Sequence, residues 1–267
     1  IKYMFKKKPI SIYVHWPFCE TKCPYCDFNS HISSSVNHDD WKEALITELE
    51  YIINNFIKDN LKNYWLKSIF FGGGTPSLMH PKTIEKIVTF CNLKFSTPPN
   101  NSSTEITLEA NPNNIFKDNL TSFYQSGINR ISIGVQSFNQ EDLIFLGRNH
   151  SVKDAKLAID VAMSIFNEVS FDLIYALPNQ SIENWNKILT EALLIGNRHL
   201  SLYQLTIEPG TSFGRDFKNG FLIPTTEDLA SDLYYETDQL TKKFGLLSYE
   251  ISNYSKIGSE CLHNLNY

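Results

Sequence analysis

Short apolar runs rich in β-branched residues alternate along this chain with longer stretches whose apolar positions recur every three or four residues. The runs "ISIYVHW" (10–16), "SIFF" (68–71), "EITLEA" (105–110), "RISIGV" (130–135), "VSFDLIY" (169–175) and "HLSLYQLTI" (199–207) predict six strands. The amphipathic stretches predict helices near 39–58, 81–93, 116–126, 151–166, 181–195 and 226–243. Several of the strand runs are apolar throughout, as parallel strands covered on both faces are. Six β-then-α units make an α/β fold, either an incomplete barrel or an open doubly wound sheet.

The polar residues that interrupt this pattern fall at the strand ends. The first run leads through His15 into the loop "CETKCPYCDF" (19–28). The second ends in "GGGTPS", the third in Glu109-Ala110-Asn111-Pro112 and the fourth in Gln136. The fifth carries Asp172 and Tyr175, and the sixth Gln204 and Thr206. In βα barrels the C-terminal strand ends and the loops after them build the active site, so these residues are expected at one mouth.

Composition narrows the partners. The net charge of -5 gives no electrostatic reason to expect nucleic acid. The one basic run, Lys6-Lys7-Lys8, reads as a solvated arm. No apolar stretch approaches the roughly 18 residues of a membrane span, and no signal peptide is visible. The cysteines number five, with three clustered and Cys91 and Cys261 apart. An odd, clustered set is not a disulfide framework; it points to a reducing, cytoplasmic setting and to metal or redox chemistry.

Cys19, Cys23 and Cys26 form C-x-x-x-C-x-x-C. Such a loop can wrap three sulfurs around one side of a [4Fe–4S] cube and leave the fourth iron open to a small molecule. Zinc is the competing reading, with His15, His31 or a distant residue as fourth ligand. The glycines of "GGGTP" (72–76) let backbone amides approach a ligand closely, although a plain tight turn has the same composition. Glu109, at a strand end, can accept hydrogen bonds from hydroxyl groups. Gln136 and Arg148 can reach the same mouth. Asp172 sits inside an apolar run, where a carboxylate must pair, with Arg148 for instance, or meet a polar ligand.

The cysteine spacing, together with "YVHWPFCETKCPYCDFNSH", "FFGGGTPSL", "GINRISIGVQSF", "LGRNH", "DLIYALPNQ" and "LSLYQLTIEPGTSF", resembles the coproporphyrinogen III oxidase-like branch of the radical S-adenosylmethionine (SAM) superfamily. The resemblance spans residues 10 to 267. It implies a partial (βα)6 TIM-like barrel over 10–245, after an N-terminal arm, 1–9. Residues 246–267 would begin a C-terminal segment that carries the HNxxY motif and continues further. It also implies a [4Fe–4S] cluster on Cys19, Cys23 and Cys26 whose open iron is chelated by SAM. The SAM site would use Tyr13, Tyr25, Gly73, Gly74, Thr75 and Glu109. Residues holding a second SAM in the oxidases match Gln136, Arg148, Asp172 and Thr206, the last replacing an alanine. No catalytic residue is assigned.

Within the branch, two departures separate this chain from the oxidases. Their motif has a further cysteine where this chain has Phe28, and they have a longer segment before the first strand. "CDFNSH" and the final "HNLNY" (263–267) resemble instead the heme chaperones of the branch, in which the matching histidine, here His263, is implicated in heme binding. An imidazole is a good axial ligand for heme iron. Cys261 reads as an incidental thiol and Cys91 as core. The implied function is a heme chaperone with a cluster and SAM. Its implied partners are heme or porphyrin, an acceptor hemoprotein, whether soluble or membrane-associated, and an electron donor such as a flavodoxin or ferredoxin. The alternative is oxygen-independent decarboxylation of coproporphyrinogen III.

Overall fold

The computed structural model describes residues 7–33, 35–57, 61–100, 102–196 and 198–266. Its strands and helices follow in the order β1 (Lys8–Trp16), β2 (Phe18–Cys19), β3 (His31–Ile32), α1 (His38–Phe56), β4 (Tyr64–Gly73), α2 (Pro81–Lys94), β5 (Glu105–Ala110), α3 (Lys117–Gln125), β6 (Arg130–Gln136), α4 (Gln140–Phe145), α5 (Val152–Met163), β7 (Glu168–Tyr175), α6 (Ile182–Leu194), β8 (His199–Gln204), α7 (Ser212–Lys218), α8 (Glu227–Lys243), β9 (Leu247–Ser248) and β10 (Asn253–Ser255). β1, β4, β5, β6, β7 and β8 pair in that order, all parallel. The expected partial (βα)6 barrel is thus present, and the helices between its strands pack on its outside.

The local sequence explains the elements. Along α6, Trp185, Ile188, Leu189, Ala192 and Leu193 are buried at helical spacing, and Ser181 caps the first turn by accepting from Asn184 N. α5 starts with a capping box in which Ser151 and Asp154 each bond the other's backbone N–H. In the strands, positions facing the helices are apolar and form one continuous core, including Ile69, Phe71, Leu108, Ile131, Ile133, Phe171 and Leu200. The alternate positions include a set of small polar residues: Ser11, Ser68, Thr107, Ser132, Ser170 and Ser201. Ser68 donates to Ser11 Oγ at 2.9 Å across β1 and β4. These short polar side chains leave room in a barrel interior that they share with the rings of Tyr13, Phe70 and His263.

Several boundaries differ from those expected. β1 begins at Lys8 because Lys8 and Pro9 continue the parallel register against Tyr64 and Trp65. The basic run is not simply a solvated arm: Lys7 donates to Ser96 Oγ at 2.8 Å and Lys8 lies over the Tyr64 ring. Residues 1–6 of the expected arm lie outside the described residues. β8 ends at Gln204, before the turn at Glu208-Pro209-Gly210, so Thr206 stands on a loop. The segment after residue 245 adds two strands to the same sheet: β10 pairs antiparallel with β8, and β9 with β10.

The chain then closes the N-terminal end of the barrel. Arg130, at the start of β6, donates to Glu105 at 3.0 Å and to Glu168 at 3.3 Å, the first residues of β5 and β7. It also donates to the carbonyls of Ser259 and Glu260. Glu105 in turn accepts from Leu262 N at 2.7 Å, from His263 N and from Cys261 Sγ. A buried charge pair is thus finished by backbone groups of 259–263, as a charge taken out of water requires.

Candidate cofactor site

At the opposite end of the barrel, a cavity of about 410 Å³ opens at the C-terminal strand ends. Cys19, Cys23, Cys26, Tyr25, Gly73, Gly74, Thr75, Glu109, Gln136, Arg148, Asp172 and Thr206 all line it. Phe28, more than half exposed, stands at its rim. Its size suits a cofactor of a few hundred daltons.

The cysteine loop is held by backbone bonds from several sides. Gly74 N donates to Trp16 O at 2.7 Å and Thr75 N to Phe18 O at 2.9 Å, which docks the glycine turn against the start of the loop. His31 N donates to Pro17 O, and Phe213 N, on α7, to Pro24 O. The glycines are required here. At Gly73, with φ +117°, a Cβ would lie 2.7 Å from the His15 ring; at Gly74 it would lie 2.8 Å from Phe18 O and 3.0 Å from Cys19 Sγ.

The sulfurs are met by polar side chains. Thr75 Oγ1 donates to Cys19 Sγ at 3.5 Å, and Arg148 Nη1 to Cys23 Sγ at 3.2 Å. Cys26 Sγ is 4.0 Å from Ser30 Oγ. Among the described residues no three His, Cys, Asp or Glu side chains are gathered as one metal ion needs. A cube instead takes one sulfur at each of three separate corners. Three thiols on one wall, with a glycine cradle that a Cβ would fill, fit that group.

The carboxylates carry the electrostatics. Glu109 accepts from Gly73 N at 3.2 Å. Burial, and then the neighbouring Asp172 charge, push Glu109 up to about 8, against the lowering effect of that bond. Burial likewise pushes Asp172 up to about 6, opposed by bonds from Ser201 and Ser132 and by the Arg148 charge. Two acids whose ionisation burial opposes, beside one space, favour a cationic ligand, whose charge would return both to the carboxylate form.

Tyr13 and His263 lie off this cavity, as do His15 and Tyr175 of the expected strand ends, the latter stacked on Trp185 of α6, and one expected pair does not form. Tyr13 bonds His15 Nδ1 through its hydroxyl at 3.1 Å, and its ring crowds Gly72 from the barrel interior. His263 stacks on Phe70 with ring centroids 4.1 Å apart and on Tyr13 at 5.8 Å. It is half-buried inside the barrel, beneath the cavity, and burial lowers its pKa. Asp172 accepts from Ser132 Oγ at 3.1 Å rather than from Arg148, because the guanidinium is turned to Cys23, Asn111 and the Gly134 carbonyl. Cys261 and Cys91 are buried thiols, each pushed up to about 12 by burial. Asn111, expected at the mouth from its place just past the third strand, lines the cavity too, as does Ser132, which no strand-end signal marks.

Residues 13–192 match the radical SAM superfamily. The chain is 39% identical to the heme chaperone HemW of Escherichia coli K12 over 99% of its length, spanning 67% of that protein. It is also 39% identical to radical S-adenosyl methionine domain-containing protein 1, mitochondrial, of Danio rerio, covering 96% of this chain and 56% of the relative. Among solved structures, coproporphyrinogen III oxidase (HemN) from Escherichia coli superimposes with a TM-score of 0.79 at 24% identity, over 96% of this chain and 57% of that one, which shows the shared fold. Such membership implies an iron–sulfur cluster and SAM. By its cysteine loop, its six-stranded parallel barrel and its similarity over nearly its whole length to HemW, the chain belongs to the HemW branch of the radical SAM superfamily.

Proposed function

We propose that this protein is a heme chaperone that holds a [4Fe–4S] cluster and SAM at the barrel mouth and passes heme to an acceptor hemoprotein. The observation that carries the cofactor half is the convergence of three cysteines, the glycine turn and two raised carboxylates on one cavity. The heme half is supported by the similarity to HemW and by His263 in its matching motif.

In this reading Cys19, Cys23 and Cys26 bind the cluster, which supplies one-electron chemistry and an open iron for SAM. The amides of Gly73 to Thr75 are bonded to Glu109, Trp16 and Phe18, so the turn would offer its backbone carbonyls to the amino group of SAM, while Glu109 would take its ribose hydroxyls and Asp172 would face its positive charge. Tyr25, Gln136, Arg148 and Thr206 complete the wall, and Tyr13 supports the glycine turn from below. An electron donor of the flavodoxin or ferredoxin class would reach the mouth. His263 offers its imidazole to heme iron; because its ring is stacked on Phe70 and Tyr13, ligation requires the 261–266 segment to move.

The test is a pair of measurements on anaerobically reconstituted full-length protein. Heme titration should show saturable binding that His263→Ala weakens at least tenfold, with a changed Soret band. Incubation with coproporphyrinogen III, SAM and a reductant should give no turnover. Sustained formation of protoporphyrinogen, or heme binding indifferent to His263, would overturn the reading.

A further inference from the structure

The mouth contains a chain of side-chain hydrogen bonds that joins two of the three cysteine sulfurs. Cys19 Sγ accepts from Thr75 Oγ1 at 3.5 Å, and Thr75 Oγ1 accepts from Asn111 Nδ2 at 3.2 Å. Asn111 Oδ1 accepts from Arg148 Nη2 at 2.6 Å, and Arg148 Nη1 donates to Cys23 Sγ at 3.2 Å. The same guanidinium is fixed from behind by the Gly134 carbonyl at 3.0 Å. The participants come from four separate places: the cysteine loop, the turn after β4, the end of β5 and the loop after α4. Asn111 is the centre. Its amide oxygen and nitrogen face opposite ways, and each satisfies a different arm.

We propose that Asn111 is a positioning residue whose amide aims Thr75 and Arg148 at the sulfurs of Cys19 and Cys23, and that this relay raises the reduction potential of the cluster. The inference rests on the cluster reading given above. Hydrogen bonds to ligand sulfurs withdraw electron density and stabilise the reduced cluster, more so when the donor is charged. An Arg–sulfur bond inside a partly buried site is weakly screened. The orientation of the guanidinium matters as much as its charge, because only one edge meets Cys23 while the other is held by Asn111. Resemblance gave Thr75 and Arg148 a part in holding SAM; their bonds in this structure give them a second part, on the cluster itself.

The experiment compares reconstituted wild type, Asn111→Leu, Thr75→Val and Arg148→Lys, each poised at the wild-type midpoint. Reduced cluster is read by electron paramagnetic resonance, and iron release to a chelator by absorbance. Asn111→Leu keeps the volume and removes both arms. It should load its full iron, lower the reduced-to-oxidised ratio about tenfold, equal to about 59 mV for one electron, and speed iron release several-fold. Thr75→Val and Arg148→Lys should each give a smaller drop of the same sign. An Asn111→Leu protein with full iron and an unchanged ratio overturns the relay. If that variant fails to fold, an unchanged ratio in Thr75→Val overturns it. A wild type that takes up no iron overturns the cluster reading instead, which is distinct from a wild type that loads fully and matches its variants.

Discussion

The two ends of this barrel are built from the same six strands and treat charge in opposite ways. At the N-terminal end, Arg130 meets Glu105 and Glu168, and the backbone of 259–263 adds further bonds to Arg130 and Glu105. At the C-terminal end, Glu109 and Asp172 stand beside a cavity with no cationic side chain among the described residues bonded to either, and burial raises both. The closed end answers its charges with groups of the chain itself. At the open end polar groups line a space, and in the proposed reading a cationic ligand would answer the two acids. Stability and function are thereby assigned to different ends of one sheet.

That contrast can be broken from either side. The largest effect is expected at the open end: Cys23→Ala should abolish cluster loading, taking iron from about four per chain to near zero, while circular dichroism and the melting temperature of the unloaded protein stay close to wild type. Glu105→Ala should do the reverse. It removes the shorter of the two ion pairs of Arg130 and strands three donors of the 261–263 segment, at a cost of about 3–5 kcal/mol, or about 2–4 °C of melting temperature per kcal/mol. Limited proteolysis should then cut within 256–266, while iron loading persists.

A subtler test uses pH. A carboxyl whose folded pKa is raised contributes stability below its unfolded pKa and loses it as pH rises through the folded value. For Glu109 that window runs from about 4.5 to about 8, so the unloaded protein should melt progressively lower across it. Glu109→Gln should flatten the slope and also weaken SAM binding, and SAM itself should bind more tightly toward pH 8. A wild-type melting temperature that is flat over this range would remove the raised acid from the account. The smallest effect belongs to Lys67→Ala. Its bond to Asn266 is exposed, and thermal melting should shift by no more than about 0.5 kcal/mol equivalent.

Much of the open end was legible in sequence because parallel strands announce themselves. Each is an apolar run, and the residue that breaks the run is at the mouth; Glu109, Gln136 and Asp172 were found this way. The cysteine spacing and the glycine turn are local, so their proximity follows from topology once the strand order is known. The closed end was not legible. Arg130 and Glu105 look like ordinary strand-start charges, and nothing local ties them to Ser259, Glu260 or Leu262, more than 120 residues later. The orientation of Arg148 escaped for a related reason. Charge alone paired it with Asp172, whereas its direction is set by the Asn111 amide and the Gly134 carbonyl. His263 was identifiable as a chemical group, but its stacking on Phe70 depends on how the last segment turns back under the barrel.

The closure of the barrel by residues 259–263 also has a consequence for synthesis. Glu105 and Arg130 leave the ribosome well over a hundred residues before the amides and carbonyls that complete them. Until those arrive, a nascent barrel holds an ion pair open to water at its base, with its first five strands already available to pair. Consolidation of this end must therefore wait for residues 259–263, and long sequence separation makes that step slow relative to local folding. The interval is one in which the cysteine loop is complete but its scaffold is not yet locked, and a chain stalled there would expose its thiols on an unclosed barrel.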